Sequence, residues 1–98
     1  MEITGNYINF KTDEHIYPSE KLGAKSNTVR FLNQEELQEL DRLIIKCKLK
    51  YPKIRIHNYM VNDRQESVHR KFERQITDIR RTPSILGQTL VIFSWRHI

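Results

Sequence analysis

The chain is 98 residues long, 38% hydrophobic and 30% charged, with three glycines and three prolines. That is one domain's worth of chain, which excludes an enzyme built around a cleft between two domains and excludes a collagenous or wholly disordered polymer. A single domain over residues 1–98 is expected. A chain of this size buries about two thirds of its unfolded surface, so a site on it should be a shallow groove or a small pocket.

The net charge of +5 is unevenly placed. Residues 1–49 hold seven Lys and Arg against eight Asp and Glu, a net of −1, whereas residues 50–98 hold ten against four, a net of +6. Such asymmetry marks contact with a polyanion, and nucleic acid is the leading partner class; the alternative is that scattered cations only keep a small domain in solution. The one cysteine, Cys47, can neither close an internal disulfide nor hold a tetrahedral metal alone. The N-terminal residues lack the basic-then-apolar order of a secretion signal, and no run approaches the ~20 apolar residues of a spanning helix. A cytoplasmic protein without membrane contact is expected.

In chain order, Tyr7, Ile8 and Phe10 after Gly5 predict a first strand over about residues 6–11. Between Thr12 and Lys21, Pro18 disfavours a long helix and leaves a short helical turn or a loop. Asn27 to Leu32 alternates, with Val29 and Phe31 on one face and Thr28, Arg30 and Leu32 on the other, as a strand does. Asn33 and Glu36 have the spacing of a capping box. After them Leu37, Leu40, Leu43, Ile44 and Cys47 form one apolar stripe, so a helix should run from about Gln34 to about Leu49 and stop before Pro52.

Lys53 to Asn58 alternates again and predicts a half-exposed strand with Arg55 and His57 on its basic face. Met60 to Ser67, with Asn62-Asp63, reads as a turn or open loop. Val68, Phe72, Ile76 and Ile79 suit either a helix stripe or a strand; β-prone Ile76, Thr77 and Ile79 favour the strand. Thr82-Pro83-Ser84 and Gly87 mark a loop, and Thr89 to Trp95, the most apolar run, predicts a central strand. The order predicts an α+β fold, a small mixed β-barrel of about five strands with one main helix, and excludes a doubly wound α/β sheet.

One stretch carries chemistry: Gly23-Ala24-Lys25-Ser26-Asn27-Thr28-Val29-Arg30, of the form G-x-K-x-x-T-x-R. Gly23 allows a sharp bend, and Thr28 and Arg30 project from one strand face. Lys25 supplies a point charge or, if desolvated, a base; Arg30 offers a planar fork for a phosphate, a carboxylate or a base edge; Thr28 is a hydroxyl that a neighbouring base could activate. The alternative is that Thr28 and Arg30 are ordinary strand residues, with Arg30 paired to Glu14 or Glu20.

This stretch, following an apolar strand and a short helical segment, resembles the ASCH domains, small PUA-like β-barrels linked to RNA. The likeness covers the first third of the chain well and the last third loosely. No Gly-Asp pair opens the next strand, and the helix from Gln34 reads as an insertion there. The resemblance implies a nucleic-acid or nucleotide ligand, RNA first, bound by Lys25, Thr28 and Arg30, with Arg55 from the basic face. Some ASCH proteins are amidohydrolases that deacylate N4-acylated cytidine. For those the resemblance implies a Thr28 nucleophile activated by Lys25 and aided by a glutamate, for which Glu66 and Glu73 are the candidates.

The basic residues Lys50, Lys53, Arg55, Arg64, Arg70, Lys71, Arg74, Arg80 and Arg81 form the candidate phosphate-tracking set, with Arg70 and Arg74 on the apolar side of their strand. His15, His57, His69 and His97 show no pair at metal-ligand spacing with a supporting carboxylate, so neither metal nor cofactor is expected. Cys47 and Trp95 read as core. A third reading, a small protein-interaction factor of viral or mobile-element origin, would pair the basic face with an acidic partner.

Overall fold

Strand-forming segments joined by tight turns build six strands and two helices in the computed structural model, which describes residues 1–48 and 50–96. They are β1 (Glu2–Thr4), β2 (Tyr7–Lys11), α1 (Tyr17–Lys21), β3 (Asn27–Leu32), α2 (Gln34–Cys47), β4 (Lys53–Val61), β5 (Ser67–Arg81) and β6 (Thr89–Trp95). One mixed sheet has the order β1-β2-β4-β5-β6-β3; β2 and β4 run parallel and every other pair antiparallel. The α+β class and the single main helix, α2, hold, but the sheet has six strands where about five were expected. The expected helix end at Leu49, and His97, lie outside the described residues.

The extra strand, β1, is too short for alternation to reveal it. It joins β2 through the two-residue turn Gly5-Asn6, which pairs Thr4 with Tyr7, and Gly5 takes φ +59°, a conformation costly for residues with a Cβ. The second helix, α1, is the short turn expected before the Lys25 stretch. Pro18 sits in its first turn, where a missing N–H costs nothing, and Asp13 Oδ1 accepts from the His15 and Ile16 amides just ahead of it.

The long strand β5 resolves the ambiguous Val68–Ile79 stretch and curls the sheet. Its first part, Ser67 to Gln75, pairs with β4, and its second part, from Ile76 to Arg81, pairs with β6, with the register shifting between Ile76 and Asp78. A bulge there bends the strand and raises its twist. The sheet thereby becomes a half-barrel, in which the rings of Phe10 on β2 and Phe93 on β6 meet at 5.2 Å although two strands lie between them.

Inward residues at every second position make the core: Ile8 and Phe10, Ile54 and Ile56, Phe72 and Ile76, then Val91, Phe93 and Trp95. On β3 the inward set is Thr28, Arg30 and Leu32, while Val29 and Phe31 face solvent. The helix α2 adds Leu40 and Leu43 to the core, with Cys47 packed at its edge. Asn33 caps it as its spacing predicts, accepting from the Glu36 amide at 2.9 Å while Glu36 Oε1 accepts from the Asn33 amide at 3.1 Å. The crossover from β2 through α1, β3 and α2 to β4 carries β3 to the far edge, beside β6.

Candidate functional site

The short helix α1 shows one face to the interior through Tyr17 and Glu20, three residues apart. Beyond it Gly23 takes φ +88°, which lets the chain fold back so that the Lys25 amide donates to the Ser19 carbonyl at 3.0 Å. That reversal sets Lys25 Nζ 3.6 Å from Glu20 Oε2. Glu20 is fully buried, and neither carboxylate oxygen makes a hydrogen bond of ordinary length. Burial pushes its carboxyl above the ordinary 4.5, against the opposing pull of Lys25, Arg30 and the Thr12 hydroxyl.

Strand alternation brings Thr28 and Arg30 to the same inward face, and Arg30 Nε donates to Thr28 Oγ1 at 3.1 Å. The Arg30 guanidinium lies 4.7 Å from the centre of the Phe10 ring, a cation–π contact across the opening between β2 and β3. Its pKa is lowered by burial, with Glu20 acting against the shift. An arginine starts so high that it stays a cation at neutral pH. The cluster therefore holds a buried carboxylate, a half-exposed ammonium, a buried hydroxyl and a guanidinium.

Arg30 also opens onto a groove of about 610 Å³, where it meets Arg55, Lys11, Asn9, His57 and Tyr59 from the outer side of β2 and β4. Arg55 is braced from two sides. Its Nε and Nη2 both lie 2.9 Å from Glu73 Oε1, and its guanidinium lies 4.1 Å from the centre of the Tyr7 ring. The hydrogen bond from Arg55 holds the Glu73 carboxyl below its ordinary value.

Of the residues named from sequence, Arg30 and Arg55 line one groove, Thr28 accepts from Arg30 on the inner face of β3, and Lys25 pairs with Glu20. Glu66 lies exposed in the β4–β5 turn, its amide bound to Asn62 Oδ1, and no hydrogen bond or ion pair among the described residues joins it to Lys25 or Thr28. Glu73 is the partner of Arg55. The carboxylate beside Lys25 is Glu20, which the sequence suggests only as a partner for Arg30. Its one local signal is a glutamate three residues after Tyr17 on the same helical face.

The basic set divides in the same way. Lys53, Arg55 and Lys71 share the outer face of the sheet, whereas Arg70 and Arg74 turn inward and find neutral partners rather than ion pairs. Arg70 donates to Asn58 Oδ1 at 2.7 and 3.2 Å and lies over the Tyr17 ring; Arg74 donates to the Lys21 and Glu73 carbonyls. Arg80 and Arg81 are engaged by Asp78 and Asp41.

Comparison with protein-family models, with curated proteins and with solved structures finds no match to this chain. Among the described residues no cluster of three His, Cys, Asp or Glu side chains is placed to hold a metal ion, and no helix is long and apolar enough to cross a membrane.

Proposed function

We propose that the chain is a nucleic-acid-binding module of the PUA-like, ASCH type, with RNA as its ligand. The observation that carries this reading is the meeting of Arg30 and Arg55, from separate strands, in one groove beside Lys11. Two guanidinium forks held by aromatic rings suit phosphate and base-edge recognition, and the bracing leaves them little rotamer entropy to lose on binding. The ASCH likeness rests on the sequence of the G-x-K-x-x-T-x-R stretch, Gly23 to Arg30.

Titration with short RNA and DNA at two ionic strengths tests it. Affinity should fall with salt by a log–log slope of about −0.7 per single-strand phosphate contacted, and Arg30→Ala or Arg55→Ala should each reduce that slope by about one contact. Binding that is absent, or indifferent to salt, overturns the reading.

A second reading, deacylation of an N4-acylated cytidine, is favoured by the buried Glu20 beside Lys25. In this scheme the Thr28 oxygen attacks the acyl carbon, the nucleoside amine leaves with a proton, and water then hydrolyses the ester. Incubation with N4-acetylcytidine should release acetate, and Thr28→Ala and Lys25→Ala should each abolish release. No turnover, or turnover surviving both changes, removes this reading.

A further inference from the structure

Outside the core, alternate residues of β2, β4 and β5 form a second face whose composition the strand register explains. Lys11, His57 and Lys71 are aligned across the three strands, Asn9, Arg55 and Glu73 form the next row, and Tyr59 is opposite His69. These rows bring together residues that are 10 to 64 positions apart in sequence, so a cationic and aromatic surface arises that no local motif announces.

Hydrogen bonds hold the rings in place. Asn9 Nδ2 donates to the Glu2 carbonyl and to Thr4 Oγ1, at 3.1 and 2.8 Å, which aims Asn9 Oδ1 at His57 Nε2, 2.8 Å away. His57 Nε2 therefore carries the proton, and its Nδ1 accepts from His69 Nε2 at 2.8 Å. Burial first, and then the neighbouring His69, Arg55 and Lys71, lower the His57 pKa against the pull of Glu2, which agrees with the neutral form this chain of bonds needs. The His69 ring lies 5.0 Å from His57 and within 10° of parallel; the Tyr59 ring lies 4.4 Å from His69 and within 3°. Tyr59 remains 58% exposed, with Lys11 Nζ 5.4 Å from its ring centre.

We propose that this outer face of β2, β4 and β5 is a stacking platform for single-stranded nucleic acid, with a base against Tyr59 and phosphates on Lys11 and Lys71. It rests on the nucleic-acid reading above and narrows it to the unpaired strand. An exposed ring, fixed in orientation by a histidine pair and flanked by cations, offers both the π-face and the charge that an unpaired strand uses. A duplex hides its base faces and would use only the charges. An acidic peptide would likewise use the charges and not the ring. Among the described residues the carboxylates of the face are Glu73, bound to Arg55, and Glu2 at the groove rim, and neither Lys11 nor Lys71 is held in an ion pair, which leaves their charge for phosphate.

Fluorescence anisotropy with a labelled oligonucleotide, single-stranded and as its matched duplex, tests the platform on the full chain. The single strand should bind more tightly than the duplex. Tyr59→Ala should weaken it about five- to a hundredfold, the range expected on losing one stacked base, while Tyr59→Phe stays within about twofold. Because the ring is exposed, Tyr59→Ala should keep the circular dichroism spectrum of the unaltered chain. If the strand binds and Arg30→Ala weakens it while Tyr59→Ala does not, the platform is overturned and the groove reading stands. Preference for the duplex also overturns the platform, and absence of binding to either form overturns both.

Discussion

Replacing Phe93 by alanine is expected to cost about 3–5 kcal/mol of folding free energy, a large part of the 5–15 kcal/mol typical of a single domain. Phe93 is fully buried on β6, the strand enclosed between β5 and β3, and its ring meets Phe10 across the inside of the half-barrel. Its removal takes away the transfer free energy of an aromatic ring and leaves a cavity that strands tied on both sides cannot collapse to fill. Phe31 is the control. It sits on the neighbouring strand but faces outward and is 68% exposed, so Phe31→Ala should change stability by no more than about 0.5 kcal/mol. Urea denaturation of both variants gives the comparison, and equal costs would mean that the inward and outward faces of the sheet are wrongly assigned. The effect should extend to the site, because the Phe10 ring that Phe93 packs against also supports the Arg30 guanidinium.

The same contrast explains how much of the molecule could be read in advance. The strands β2, β3 and β6 and the start of α2 follow from patterns within seven residues: alternation, a capping pair, an apolar run. The inward direction of β3 does not follow from hydrophobicity alone, since Thr28 and Arg30 point in while Val29 and Phe31 point out; burial of Leu32 and the attachment of Arg30 to Phe10 and Thr28 make that orientation favourable. Strand β1 carries too few residues to show a period, although its Gly5-Asn6 turn is a recognised hairpin signal. In the candidate site, Lys25, Thr28 and Arg30 were legible because their spacing is local. Glu20 was not, since its approach to Lys25 depends on the reversal at Gly23, and the His57–His69–Tyr59 rings meet only through the register of β4 against β5.

Glu20 should make folding stability depend on pH in a direction that substitution can remove. Its carboxyl titrates above the ordinary 4.5 in the folded protein because burial disfavours the anion more than Lys25 and Arg30 favour it. Below 4.5 the group is protonated in both states and costs nothing electrostatic. As pH rises past that value the unfolded chain releases its proton while the folded chain retains it, so stability falls until the pH passes the raised folded value, and then levels. Glu20→Gln keeps the shape without the charge, so its stability curve should lack this fall and lie above that of the unaltered chain at neutral pH. Lys25→Met sharpens the test. It removes an opposing cation that is itself 38% exposed, raises the Glu20 carboxyl further, and should carry the decline to higher pH. Denaturant midpoints measured from pH 4 to 8 give the three curves. Parallel curves for Glu20→Gln and the unaltered chain would mean that this carboxylate is solvated after all, and would remove the buried acid from the site beside Lys25.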